Sequence, residues 1–105
     1  MSGYSFTSDA YQDLRGIRDY LMDTAGDEVA ERVVKEIRNE CGKLADMPGM
    51  GHYREDLLDR GFRFWSVYAY VIGYRWKTKP IQIIAVVHGT RDLAAAFFRR
   101  RKASI

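Results

Sequence analysis

The sequence predicts a small α+β domain in which two amphipathic helices pack on one face of an antiparallel sheet. In the first half of the chain, apolar residues recur at intervals of three or four, the spacing of helices that bury one face. After about residue 60, aromatic and β-branched residues dominate instead, and these favour strands. The 105 residues suffice for one modest core, so we expect a single domain over residues 1–105.

The first half of the chain predicts a short strand followed by a helical hairpin. Residues 4–6 alternate weakly, and Thr7 then offers an N-cap oxygen to a first helix. The two apolar stripes are Ala10, Leu14, Ile17 and Leu21, and then Ala30, Val33, Val34, Ile37, Cys41, Leu44 and Ala45. Gly26 separates the helices, Asp27 can cap the second one, and Pro48 ends it. So short a connector predicts an antiparallel hairpin.

The second half predicts three strands and a short final helix. Residues 62–68 and 70–76 are rich in aromatic and β-branched side chains. Residues 81–87 are nearly all apolar, as in a central strand buried on both faces. Short turns between consecutive strands require antiparallel pairing, which predicts a three-stranded meander. Residues 94–98 could form a last helical turn, followed by a basic tail at about 99–105.

Charge is distributed very unevenly along the chain. Residues 1–59 contain 7 basic and 13 acidic side chains, a net charge of −6. Residues 60–105 contain 10 basic side chains and one acidic one, a net charge of +9. This asymmetry predicts that the C-terminal half meets an anionic partner, either nucleic acid or an acidic protein segment. The alternative is that the two halves attract each other within the fold.

Several classes of protein are disfavoured by the sequence. It has neither a long apolar run nor a signal-peptide pattern, so we expect a cytoplasmic protein without membrane contact. Cys41 is the only cysteine, and we interpret it as a core residue of the second helix. No phosphate-binding glycine loop and no zinc or calcium spacing occurs, so we expect no metal and no cofactor.

Four segments of the chain resemble ParE toxins of the ParE/RelE superfamily. DAYQDLRGIRDYL at 9–21 is similar to the first helix of that family, and LADMPGMG at 44–51 to the end of the second. FRFWSVYAYVIGYR at 62–75 is similar to its hairpin, and IIAVVHGTRDL at 83–93 to its final strand and His-Gly-x-Arg-Asp-Leu ending. The resemblance spans residues 4 to about 93, and its last segment is the most specific.

The resemblance implies a toxin of a type II toxin–antitoxin system, involved in plasmid or genome maintenance and growth arrest in bacteria. ParE-type members poison DNA gyrase and are neutralised by a ParD-like antitoxin, with which they form a hetero-oligomer. The first alternative is an enzyme, a metal-independent endonuclease that cleaves mRNA on the ribosome as RelE-type members do. The second is a non-toxic module that only binds an antitoxin.

A RelE-type nuclease needs residues that move protons and stabilise a charged phosphate. Arg63, His88 and Arg91 are the candidate catalytic residues for that alternative. His88 could transfer a proton near neutral pH, or could simply hold the end of its strand. The resemblance places the C-terminal tyrosine of RelE near Phe97, and a phenyl ring cannot exchange a proton. This departure favours the gyrase-directed alternative.

Other residues are candidates for contact with a partner. The partner-binding candidates are Arg63, Arg91, Arg99, Arg100 and Arg101. A stacking platform for bases, or simply sheet packing, could be formed by Trp65, Tyr68, Tyr70, Tyr74 and Trp76. His52 lies in a glycine-flanked loop and is expected at the surface. Gly73 in mid-strand predicts either a bulge or the close approach of another group.

Overall fold

A computed structural model describes residues 3–57, 59–89 and 93–103, with side chains described as far as Arg100. Its strands are β1 (Tyr4–Phe6), β2 (Phe62–Val67), β3 (Tyr70–Arg75) and β4 (Ile81–His88). Its α-helices are α1 (Ser8–Ala25), α2 (Asp27–Asp46) and α3 (Leu93–Ala103), and a 3₁₀ turn follows α2 at Pro48–Met50. The predicted α+β fold is confirmed, with the elements in the predicted order.

The four strands form one mixed sheet in the order β1-β4-β3-β2. Strands β2, β3 and β4 make the predicted antiparallel meander. Strand β1 adds to the outer edge of β4 in parallel, with Tyr4 opposite Ile81. β4 is therefore a central strand with a strand on each side over residues 81–83, and its apolar run is buried, as predicted.

The helical hairpin covers one face of the sheet, as its apolar stripes predicted. Ile37 and Leu44 of α2 are fully buried in a core that also contains Leu14 of α1. Thr7 caps α1 by accepting a hydrogen bond from the Ala10 amide at 3.1 Å. The cap predicted for α2 is wrong, because Gly26 occupies the cap position and Asp27 is already the first helical residue.

Helix α3 covers the opposite face and adds a layer that the sequence did not predict. Its apolar side chains complete a second cluster, formed by Phe62, Phe64, Ile84, Ala85, Val87, Leu93 and Phe97. The predicted helical turn at 94–98 is too short, because the helix continues to Ala103 and includes residues 99–103 of the expected basic tail. Docking of Phe97 against the sheet accounts for this extension, since packing stabilises short helices that are marginal alone.

Gly73 combines both features that were predicted as alternatives. The register between β3 and β4 shifts immediately after Gly73, so a bulge is present. The ring of Phe97 also lies directly over Gly73, and a Cβ atom there would be 2.0 Å from the ring. Glycine is required here because the phenyl ring occupies the space of a side chain.

Cys41 is fully buried within the helical core, as predicted. Burial raises the pKa of its thiol to about 12, because a thiolate would lose its hydration there. The thiolate is the reactive form of cysteine, so this residue packs as a small apolar group. In the described part of the chain, no helix combines the length and the apolar character needed to cross a bilayer.

Candidate functional site

Arg63 lies between two aromatic rings, on the face of β2 that the α1–α2 hairpin covers. Its guanidinium carbon is 4.2 Å from the ring centres of both Tyr53 and Trp76. Its Nη1 donates hydrogen bonds to the carbonyl oxygens of Gly51 at 2.7 Å and Gly49 at 3.3 Å. Through these contacts, Arg63 holds the loop after α2 against the edge strand β2.

Tyr74 fastens the same loop from the core side. Its buried hydroxyl donates to the Pro48 carbonyl at 2.6 Å and accepts from the Gly51 amide at 3.0 Å. Burial raises the pKa of Tyr74, so the hydroxyl keeps its proton and remains a donor. Gly51 is required beside it, because a Cβ atom at that position would be 2.4 Å from the hydroxyl oxygen.

Tyr74→Phe should therefore lower the free energy of unfolding by about 1–3 kcal/mol, since the Gly51 amide would stay buried without its acceptor. Urea denaturation of the purified variant measures this change. Tyr20→Phe is the matched control, because that side chain is exposed and its replacement should be neutral. Equal stability of the two variants would contradict the role of Tyr74.

A second polar cluster lies further along β2, on the same face of the sheet as Arg63. The indole Nε1 of Trp65 donates to Oε1 of Glu40 at 2.9 Å, and Lys43 contacts the other carboxylate oxygen at 2.7 Å. Hydrogen bonds from Lys43 and then from Trp65 lower the pKa of Glu40, which stays ionised. His52 is exposed, as predicted, and its ring stacks on Trp65 with the ring centres 5.8 Å apart.

His88 lies at the other end of the sheet. It is exposed and its ring meets Tyr70 edge-on, with the ring centres 5.7 Å apart. It contributes to a groove of about 470 Å³ between α1 and the β4 edge, together with Gln12, Asp13, Gly16, Ile17, Tyr20, Tyr70, Val86 and Val87. Neutral side chains line most of this groove.

The structure does not bring Arg63 and His88 together. Arg63 is paired with Tyr74, whereas His88 is paired with Tyr70, four positions away on β3. At about 3.3 Å per residue, the two sites are separated by roughly 13 Å along the strands. Arg91, the third candidate, lies outside the described residues.

Two arginines of the basic tail, Arg99 and Arg100, lie in different surroundings. Arg99 is exposed on α3. Arg100 reaches around the edge of β4 to Asp13 of α1, with Nη1 2.5 Å from Oδ2 and Nη2 3.1 Å from Oδ1. The hydrogen bond to Asp13 raises the pKa of Arg100. The side chain of Arg101 lies outside the described part of the chain.

Comparisons with known proteins agree with this architecture. The family model described as "ParE toxin of type II toxin-antitoxin system, parDE" matches residues 4–93. The chain belongs to the ParE toxin family. A solved structure entitled "Chromosomal ParDE TA system from P. aeruginosa" is similar, with a TM-score of 0.70 and 26% sequence identity over 84% of this chain and 96% of that chain. No curated protein matches the chain.

The aromatic residues of this ParE-family toxin do not form one exposed platform. Tyr74 is fully buried, while Trp65, Tyr70 and Trp76 are partly buried against the helical core. Of the five aromatic residues predicted as a platform, only Tyr68, at the tip of the β2–β3 hairpin, is largely exposed. Among the described residues, no group of three or more side chains of His, Cys, Asp or Glu could hold a metal ion.

One important residue of the toxin was missed by sequence reasoning. Asp13 lies between the apolar positions of α1, a spacing that predicts a solvated side chain, but only 13% of its side chain is exposed. Besides binding Arg100, its Oδ2 accepts a hydrogen bond from the Val86 amide at 3.0 Å. The sequence carries no signal for this contact, because the two partners are 73 and 87 residues away.

Proposed function

We propose that this toxin inhibits DNA gyrase and is neutralised by a ParD-like antitoxin, which it binds as a hetero-oligomer. The observation that carries the proposal is the match to the ParE toxin family over residues 4–93. The similar ParDE structure supports a ParD-like partner. Acting on gyrase in the bacterial cytoplasm, the free toxin would arrest growth.

The positions of the candidate catalytic residues also favour a binding role. Cleavage of a phosphodiester needs a proton-transfer group close to a group that stabilises the charged phosphate. Arg63 and His88 lie at opposite ends of the sheet, and Phe97 is buried against Gly73. Inhibition of gyrase needs only a complementary surface, because gyrase itself breaks and rejoins the DNA.

Charge supports contact between the toxin and an acidic antitoxin segment. An antitoxin segment that folds on binding would be guided by opposite charge to the basic half of the chain. Arg63 and Arg100 already have internal partners. We therefore assign partner contact chiefly to exposed Arg99, and to Arg91 and Arg101 from their sequence positions.

Purified gyrase with relaxed plasmid, ATP and the refolded toxin provides the test. We expect loss of supercoiling and accumulation of linear, protein-linked DNA, and we expect that the cognate antitoxin reverses both effects. Normal supercoiling at excess toxin, without trapped cleavage, would contradict the proposal.

A matched variant separates this activity from that of a nuclease. His88→Ala should inhibit gyrase as the wild-type toxin does, since gyrase poisoning uses no proton transfer by the toxin. Ribosome-bound mRNA incubated with either protein should remain uncut. Codon-phased cuts by the wild-type toxin that disappear in His88→Ala would instead identify the nuclease. Harmless expression without antitoxin would identify the non-toxic module.

A further inference from the structure

The tip of the β2–β3 hairpin has an unusual backbone conformation. Val67 pairs with Tyr70, so the connecting turn consists of Tyr68 and Ala69 alone. Tyr68 has a φ of +54° and is the only non-glycine residue with a positive φ in the described part of the chain. Two-residue hairpins with positive φ only at the first turn position favour glycine there. A tyrosine at this position is strained.

The same tyrosine is presented to solvent on a fixed support. Its side chain is 62% exposed, among the most exposed large apolar side chains of the described residues. The Gly89 amide donates a hydrogen bond of 2.8 Å to the Ala69 carbonyl, which fastens the turn to the end of β4. Burial therefore does not explain the ring, and the turn itself would be more stable with glycine. Backbone strain that is retained at an exposed residue is typical of functional sites.

The chemistry of the tip indicates what kind of partner it fits. Residues 64–74 contain no charged side chain, and the nearest cations along the two strands are Arg63 and Arg75. A phosphate backbone or an acidic peptide would require cations at its point of contact. An exposed tyrosine on a rigid support is instead typical of the side chains that dominate protein–protein interfaces.

We propose that Tyr68 at the hairpin tip is a main contact of the toxin with a protein surface of its target, which, resting on the function proposed above, is gyrase. The ring inserts into the partner and the phenolic hydroxyl stays at the rim of the contact. The backbone strain is retained because glycine, the residue that suits the turn best, would remove the ring.

Tyr68→Gly tests this proposal because the contact and the fold should respond in opposite directions. Relief of the strain should raise Tm, on the order of 4–8 °C. Loss of the ring should weaken binding to gyrase without DNA at least tenfold, and the concentration needed to inhibit supercoiling should rise by a similar factor. Affinity for the antitoxin should stay within twofold of the wild-type value.

Two further variants serve as controls, and a third provides a second test of the contact. Tyr68→Phe keeps the ring and should stay within about threefold of wild type in gyrase binding. Tyr11→Ala removes an exposed tyrosine from α1 and should leave both gyrase binding and inhibition unchanged. Tyr68→Asn also removes the ring, and asparagine tolerates positive φ, so gyrase binding by this variant decides the proposal if Tyr68→Gly folds poorly.

The remaining outcomes separate this proposal from the function on which it rests. A wild-type toxin without effect on gyrase would overturn both. Inhibition by wild type together with equal inhibition by Tyr68→Gly and Tyr68→Asn would overturn only the tip contact. Weaker antitoxin binding with unchanged gyrase inhibition would identify the tip as an antitoxin contact instead. Unchanged binding to gyrase alone, with weaker binding only to its DNA complex, would identify a DNA contact.

Discussion

Asp13→Ala should lower the free energy of unfolding by about 2–3 kcal/mol, because it removes the acceptor of charge-assisted hydrogen bonds from a partly buried ion pair. Arg100 is only 20% exposed and would keep its charge without the bidentate acceptor. The Val86 amide would also lose its hydrogen bond at the edge of β4. Guanidinium denaturation, followed by far-UV circular dichroism, measures the loss.

Three related variants divide this effect into its parts. Asp13→Asn should cost less than Asp13→Ala, because the amide oxygen can still accept from Val86. Arg100→Ala should also cost less, since Asp13 would keep that same contact. Asp19→Ala removes an exposed carboxylate from the same helix and should change stability by less than about 0.5 kcal/mol. A loss in Asp13→Ala no larger than in Asp19→Ala would refute the structural role of the pair.

Gly73→Val should be the most damaging substitution on the α3 side of the sheet. Its side chain would occupy the space of the Phe97 ring, which is itself packed against Phe62 and Phe64. We expect a loss of about 3 kcal/mol, the upper end for overpacked sites, together with partial undocking of α3. Chemical denaturation gives the free energy, and protease cleavage within residues 93–103 reports the undocking.

Gly16→Ala is the matched control for Gly73→Val. A Cβ atom at Gly16 meets nothing within 4 Å, and the residue lies inside α1. This variant should gain about 0.5–1 kcal/mol from its better helix propensity. In a Phe97→Ala background, Gly73→Val should cost much less than in wild type, because the space above residue 73 is then open. An unchanged cost in that background would show that Phe97 is not the obstacle.

The parts of the fold that depend on local pattern could be predicted from the sequence. The helical stripes, the apolar run of β4 and the short turns identified the hairpin, the central strand and the meander, because each follows from residues close together in the chain. The length of α3 could not be predicted, because its polar second half contains no apolar stripe. Its helical state depends on Phe97 docking above Gly73.

Prediction of the candidate site from sequence was limited for the same reason. An exposed arginine and one held between Tyr53 and Trp76 are alike in sequence, and only the fold shows that Arg63 has both rings and two carbonyls as partners. Asp13 was missed because Val86 and Arg100 approach it only after the sheet has formed. Tyr68 was grouped with the other aromatic residues, since sequence does not reveal a positive φ.

The parallel pairing of β1 with β4 has a consequence for how the toxin is made. Tyr4 is synthesised 77 residues before Ile81, its neighbour in the sheet. During synthesis β1 has no strand to join until β4 has been made, and Arg100 must follow before Asp13 is paired. Such distant pairings make folding slow. The native fold therefore forms only after β4 and Arg100 have been synthesised, which gives an antitoxin already present in the cell an interval in which to meet the nascent chain.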